Sequence, residues 1–292
     1  MFKDVFKGFM NDPEQAGERG KNTKVIETFT RHGVPKKFPE GHPKAGMSED
    51  IITSEGLEEM RQRGKNETEP KYYMITGSKS VQRARQTGEA LAEGINETDA
   101  IEIINKEGKG GSKLSEFGIY AMSDLDPFKD AGKILGPINA EAQKLVDEKK
   151  LKPEEKEGWA IAKFLQVPDE KFKEQGVPTP REVASGMAHR LSSGVKMSDK
   201  LFKDLEMKVN NITHGPNAEC LLKYVIKNNE KSGFNDVAEI GGTFKPGEFV
   251  DFKIERDENG VLKPIKINLR GKEYEFDMDE FNKLLEEYKE KK

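Results

Sequence analysis

Two segments of the chain pair a strand-like run of β-branched residues with a His-Gly dipeptide at the carboxyl end. The run at 25–33 ends in Arg-His-Gly and the run at 209–215 ends in Thr-His-Gly, so that His32 and His214 have matching positions. Such runs are typical of buried strands, and the following Gly lets the backbone turn sharply. Further strand-like runs lie at 72–78 and 100–104.

Apolar residues elsewhere recur at the three- and four-residue spacing of amphipathic helices. The longest such segment, 181–205, places Val183, Met187 and Leu191 on one helical face. Shorter helices are predicted from residue 53 onward, at 80–94, 140–149 and 156–164, around Cys220, and at 278–292.

The remaining segments predict how these elements are connected. Residues 33–47 contain several Pro, Gly and Lys and are expected to form an irregular loop, whereas 119–180 is expected to be a helical insertion without strands. Segments 249–255 and 261–269 flank an Asn-Gly pair, which predicts a β-hairpin.

Alternation of strands and helices favours a three-layer α/β/α sandwich with a mostly parallel sheet, a helical insertion, and a C-terminal β-hairpin plus helix. We expect an N-terminal extension at 1–22 and a main domain at 23–235 that contains the insertion. The hairpin and helix at 236–292 are expected to pack on the same domain.

Composition excludes several classes of protein. The 292 residues carry a formal net charge of -4, which gives no general basis for binding nucleic acid or an anionic membrane. Cys220 is the single cysteine and is expected in the core, and no stretch has the ~20 apolar residues of a membrane span. We therefore predict a cytoplasmic protein without disulfides.

The first His-Gly segment has the chemistry of a phosphate site. A neutral imidazole such as that of His32 is a good nucleophile toward phosphorus, and nearby cations favour its neutral form. Arg31, directly before it, offers a planar fork that matches two phosphate oxygens. The carboxyl ends of parallel strands are where α/β proteins bind ligands.

Further positive charge and a proton donor are available from other segments. Arg83 lies in the first turn of the helix that follows the strand at 72–78, where the helix dipole also favours an anion. Glu116, in a Leu-Ser-Glu sequence beyond the strand at 100–104, is a candidate donor for a leaving oxygen. Arg85 is expected to be an ordinary surface residue.

Together these segments resemble the histidine phosphatase superfamily, which has the phosphoglycerate mutase-like fold. The resemblance covers roughly residues 24–230 and rests on the motifs Arg-His-Gly, Arg-Ala-Arg-Gln-Thr, Leu-Ser-Glu and His-Gly, in the order of the family. Because His214 is followed by Gly rather than Asp, the chain is similar to the branch whose acid lies in mid-sequence, which favours Glu116.

The resemblance implies a role for each matching residue. His32 would attack the phosphoryl group and become phosphohistidine, while Arg31, Arg83 and His214 would bind the non-bridging oxygens. Glu116 would protonate the leaving group and then activate water. The reaction would need no metal and no cofactor.

One stretch departs from the mutase pattern, because Val34, Pro35 and Phe38 stand where mutases have Glu, Ser and Asn. Phosphomonoester hydrolysis is therefore expected, with two alternatives: a phosphoglycerate mutase-type phosphotransferase, or a non-catalytic member that binds phosphorylated ligands or proteins. The substrate would be a phosphorylated small molecule or a phosphoprotein, and the oligomeric state stays open. In the loop after Gly33, the cationic side chains that could contact an anionic substrate are Lys36, Lys37 and His42.

Overall fold

The computed structural model describes residues 18–43, 48–70, 72–97, 102–103, 120–126, 128–228 and 231–291. The strands are β1 (Lys24–Arg31), β2 (Pro35–Lys37), β3 (Ser48–Ile52), β4 (Tyr72–Ser78), β5 (Glu102–Ile103), β6 (Tyr120–Met122), β7 (Glu206–Thr213), β8 (Ile226–Asn228), β9 (Lys231–Ser232), β10 (Phe249–Glu255), β11 (Lys266–Leu269) and β12 (Lys272–Phe276). The helices are α1 (Ser54–Lys65), α2 (Gln82–Asn96), α3 (Gly132–Asp147), α4 (Lys156–Gln166), α5 (Asp169–Glu174), α6 (Pro180–Ser198), α7 (Asn217–Val225) and α8 (Met278–Glu290).

The parallel part of the main sheet contains both strands that end in histidine. Its strand order is β5-β4-β7-β1, with β6 also paired to β4. Strands β1 and β7 run parallel from Lys24 opposite Glu206 to Arg31 opposite Thr213. Since both strands end at the same edge, the residues that follow them lie side by side.

The antiparallel part of the sheet is built largely from the C-terminal residues. Strand β10 pairs with β1, and the order continues through β11, β12, β8 and β9. The predicted hairpin is confirmed, because Phe252 of β10 lies opposite Ile267 of β11. The sequence did not predict β8, β9 or β12, which are short and make the antiparallel part larger than one hairpin.

Helices cover both faces of the sheet, which confirms the three-layer α/β/α class. On one face, α2 packs on Tyr73, Ile75 and Ile212 through Leu91 and Ile95. A larger core on the other face joins β1, β7 and β10 to α6, α7 and α8. The domain boundaries given above stay a prediction.

Three segments differ from the sequence prediction. Helix α6 ends at Ser198 rather than near 205, because the chain turns at residues 199–200 and the Ser198 carbonyl accepts from the Thr23 hydroxyl at 2.7 Å. The loop after Gly33 contains β2, which forms a two-stranded ribbon with β3 through main-chain pairing. The insertion contains β6, which extends the edge of β4.

Buried polar side chains connect the three central parallel strands. Asn211 of β7 donates from Nδ2 to Glu27 of β1 at 2.6 Å, and its Oδ1 accepts from Thr76 of β4 at 2.7 Å. Arg190 of α6 also donates to that Oδ1, at 2.7 Å. Burial raises the pKa of Glu27, and the Arg190 charge and the Asn211 hydrogen bond partly offset that effect.

Glu27 has room in this core only because residue 194 of α6 is Gly. A Cβ at that position would lie 2.5 Å from Cγ of Glu27.

Among the described helices, none is long and apolar enough to cross a membrane.

We predict that Gly194→Ala destabilises the protein by about 1–3 kcal/mol, because the added methyl group overpacks the core against Glu27. Gly186→Ala, in the same helix with nothing within 4 Å of its Cβ position, is the matched control. It should gain about 0.5–1 kcal/mol, since Ala favours helix over Gly. Urea unfolding of both variants measures the difference, and equal stabilities would contradict this account of Gly194.

Candidate active site

His32 follows β1 directly and is held in a defined protonation state. Its side chain is buried, and Nδ1 lies 2.8 Å from the carbonyl oxygen of Gly33. Because a carbonyl only accepts, Nδ1 carries the hydrogen and the lone pair is on Nε2. Burial, together with the charges of Arg83 and Arg31, lowers the pKa of His32 to about 3, against a smaller raising effect of the Gly33 bond. His32 is therefore neutral at physiological pH.

His214 lies beside His32 at the end of β7. The centroids of the two rings are 5.0 Å apart, with 53° between the ring planes. Within the described part of the chain, neither ring nitrogen of His214 has a hydrogen-bond partner, although the residue is buried. Burial lowers the pKa of His214 well below its usual range, and the nearby His32, Arg83 and Arg31 lower it further.

Arg31 is fixed by two groups that are distant in sequence. Its Nη1 donates to the carbonyl oxygen of Phe244, and its Nη2 donates to the carboxylate of Glu157 in α4. Its Nε has no partner among the described residues. A Cβ on residue 215 would lie 3.1 Å from Nε, so the Gly after His214 leaves room for the guanidinium.

Glu219 of α7 is a buried carboxylate that contacts the segment around Phe244. The peptide N–H of Phe244 donates to its Oε1 at 2.9 Å, so Phe244 connects Glu219 to Arg31. Burial raises the pKa of Glu219, and the Arg31 charge is the largest of the influences that lower it.

Arg83 lies in the first turn of α2, as predicted. Its backbone N–H and that of Gln82 donate to the carboxylate of Asp50, at 3.4 and 3.0 Å. Burial lowers the pKa of Arg83, against the charge of Asp50. Its Nε is buried and makes no hydrogen bond to a described residue. Arg85, by contrast, pairs with Glu89 at the surface, at 2.9 Å.

The rest of the Arg-Ala-Arg-Gln-Thr motif positions the loop after β1. Thr87 accepts from the Gly33 N–H at 3.0 Å and donates to the Arg83 carbonyl at 2.8 Å. Gln86 accepts from the Ile52 N–H at 3.0 Å. The motif therefore ties Gly33 to α2, a role that the sequence reasoning did not assign to Thr87.

Four of the predicted residues thus meet at one edge of the sheet: Arg31, His32, Arg83 and His214. They present unsatisfied buried nitrogens beside a neutral imidazole. A buried polar group without a partner costs about 1–3 kcal/mol. A tetrahedral oxyanion supplies several acceptors at once, so the arrangement suits a phosphate group.

Of the other predicted residues, those that the structure describes are not brought into this cluster. Glu116 lies outside the described residues. Lys36 and Lys37 are exposed on β2, and the ring of His42 stacks on Phe38 with centroids 4.4 Å apart. Cys220 is fully buried, as expected.

Sequence reasoning missed Arg270, which holds the segment that carries Phe244. Its guanidinium donates to the carbonyls of Ile240, Gly242 and Thr243 at 2.7 to 2.9 Å, and it pairs with Glu248. No local pattern marks this residue, because its partners lie 22 to 30 positions away.

No protein-family model matches the sequence, and the search of curated proteins found no match. Phosphoglycerate mutase from Bacillus anthracis is 12% identical, with 91% of this chain and 98% of that chain covered and a TM-score of 0.45. A mycobacterial glucosyl-3-phosphoglycerate phosphatase is 11% identical, with 84% and 97% covered and a TM-score of 0.42. A phytase from Klebsiella is 10% identical, with 85% and 81% covered and a TM-score of 0.36. These solved structures are phosphoglycerate mutase-like histidine phosphatases, and the likeness concerns the fold alone.

We predict that inorganic phosphate binds the protein and that Arg83→Ala weakens its binding by about 10- to 100-fold, the loss expected for a hydrogen bond to a charged group. Arg85→Ala removes the same charge two residues further along the helix, at the surface, and should leave the affinity unchanged. Isothermal titration calorimetry measures both constants. Equal weakening by the two variants would show a general charge effect instead of a site.

The lowered pKa of His32 also predicts a pH-dependent stability. The unfolded His binds a proton below about pH 6.5, whereas the folded one does so only near pH 3. The stability associated with His32 is therefore fully present above pH 6.5 and is lost as the pH falls. Between pH 7 and 5 the loss is about 2 kcal/mol.

Urea unfolding of the wild type and of His32→Gln at both pH values isolates this contribution, in buffers without phosphate. The variant should lose about 2 kcal/mol less than the wild type over that interval. An identical loss in both proteins would mean that His32 is protonated in the folded state.

Proposed function

We propose that the protein is a phosphatase that hydrolyses phosphomonoesters through a phosphohistidine intermediate on His32. One observation carries the proposal: the neutral, buried His32 presents its Nε2 lone pair beside the unpartnered nitrogens of Arg31, Arg83 and His214 within the described residues. A nucleophile and a set of oxyanion donors are the two parts that phosphoryl transfer requires.

In the first step, Nε2 of His32 attacks phosphorus and the bond to the ester oxygen breaks. The leaving alcohol takes a proton, which we assign to Glu116. Arg31, Arg83 and His214 bind the equatorial oxygens and stabilise the charge of the transition state. The Nδ1 hydrogen stays bonded to the Gly33 carbonyl, which stabilises the positive charge of the phosphorylated ring.

In the second step, water attacks the phosphohistidine and the P–N bond breaks, which releases inorganic phosphate and neutral His32. The same carboxylate, Glu116, accepts the proton of that water. The alternative activities are a mutase-type transfer to a second hydroxyl group and phosphate binding without catalysis. Each of these alternatives predicts a result different from that of a phosphatase in the test below.

Purified protein should release nitrophenol from p-nitrophenyl phosphate, and His32→Ala should reduce kcat by at least about 10³-fold, as expected for loss of a nucleophile. Rapid quench with labelled substrate should trap a phosphoenzyme that is acid-labile and base-stable. His189→Ala, which removes a histidine that bonds Asp124 outside the site, is the control and should keep full activity.

Equal, slow release by the wild type and by His32→Ala would contradict the phosphatase proposal and leave a binding protein. A mutase would instead interconvert 2- and 3-phosphoglycerate faster than it releases phosphate.

A further inference from the structure

A cleft of about 880 Å³ lies beside Arg31. The insertion lines it with residues between 151 and 162, and the segment that Arg270 holds lines it with residues between 237 and 246. Arg31 therefore borders both the proposed phosphate position and the cleft. Its side chain is 7% exposed, and its Nε has no partner in the described part of the chain.

The charges that line this cleft are mainly negative. The lining contains three carboxylates, those of Glu154, Glu155 and Glu157, and two cations, Arg31 and Lys245. Arg31 is already paired with Glu157. Outside that pair, the lining carries two exposed carboxylates, Glu154 and Glu155, and one ammonium group, Lys245.

The rest of the lining is largely apolar. Trp159 is half-buried and borders the cleft together with the buried Phe244. The Nζ of Lys163 lies 5.5 Å from the centre of the Trp159 ring. The indole therefore already has one cation nearby, and aromatic rings attract cations through their π electrons.

We propose that this cleft binds the alcohol part of the substrate and selects a phosphomonoester whose leaving group is partly apolar and positively charged. The inference rests on the proposed function, because it extends the same site outward from the phosphate. Arg31 and Arg83 attract the phosphate, whereas Glu154 and Glu155 attract a cation beyond it. A leaving group with further phosphates or carboxylates is disfavoured by the same two carboxylates.

The expected size of the preference for a cationic leaving group follows from the exposure of Glu154 and Glu155 to solvent. Exposed charges interact weakly and are screened by salt, so we expect an effect of about three- to tenfold in kcat/KM at low ionic strength. The effect should shrink toward unity in 0.5 M NaCl, where the screening length is about 4 Å.

Two substrates of nearly equal shape differ in the charge of the leaving group, and the carboxylate variant below separates binding of that charge from its effect on the leaving alcohol. Phosphocholine carries a trimethylammonium group, and 3,3-dimethylbutyl phosphate carries a neutral tert-butyl group at the same place. We expect a three- to tenfold higher kcat/KM for phosphocholine, falling with salt. Phosphoserine peptides flanked by Lys or by Glu test whether a peptide also provides the charge, and the Lys peptide should react faster.

The double variant Glu154→Gln/Glu155→Gln removes both charges and keeps the oxygen that caps the Lys152 N–H. It should bring the phosphocholine preference close to unity without changing kcat/KM for the neutral substrate. Glu170→Gln/Glu174→Gln removes two charges from the same insertion, at residues that do not line the cleft, and should keep the preference.

A wild-type protein without cation preference in either substrate pair, or a preference that survives in Glu154→Gln/Glu155→Gln, would overturn the inference. Either result leaves the proposed phosphatase activity intact as long as p-nitrophenyl phosphate is hydrolysed. Failure to hydrolyse p-nitrophenyl phosphate would instead contradict the proposed function itself.

Discussion

The candidate site depends on the parallel pairing of β1 with β7 in one register. With Arg31 opposite Thr213, both strands end together, so His32 and His214 lie with ring centres 5.0 Å apart. A shift of one residue would turn every side chain of one strand to the opposite face of the sheet and would separate the histidines. Hydrophobic residues alone specify this register weakly, because both faces of the central sheet are buried.

Two buried amides supply that missing specificity. Asn211 joins side chains of β1 and β4 on one face of the sheet, and Asn210 joins Thr30 to Tyr73 on the other, at 2.8 and 3.1 Å. A slipped register would leave these amides buried without partners, at about 1–3 kcal/mol each. The Asn-Asn pair is a poor strand former by propensity, and its place in β7 is explained by what it bonds.

The difference between local patterns and contacts distant in sequence explains what the sequence could predict. Strands β1, β4 and β7, helix α2 and the positions of His32 and His214 follow from local signals: β-branched runs, helical spacing and His-Gly at strand ends. The choice of Arg83 over Arg85 rested on the resemblance to a known family. The partners of Arg31 have no such signal, because Glu157 and Phe244 lie 126 and 213 positions away. Helix α6 was predicted too long because the apolar pattern continues to the buried Leu201, although the backbone already turns after Ser198. Burial and helical conformation are separate properties there.

The charge around Arg31 connects the fold to the chemistry. A buried guanidinium without a ligand needs compensation, and here it has one exposed carboxylate, Glu157, and one buried carboxylate, Glu219. Glu219 is buried and accepts a hydrogen bond from the Phe244 peptide N–H at 2.9 Å. Glu157 lies on the insertion, and its side chain is 62% exposed. The insertion and the core therefore each contribute one carboxylate to the surroundings of Arg31, the first exposed to solvent and the second buried.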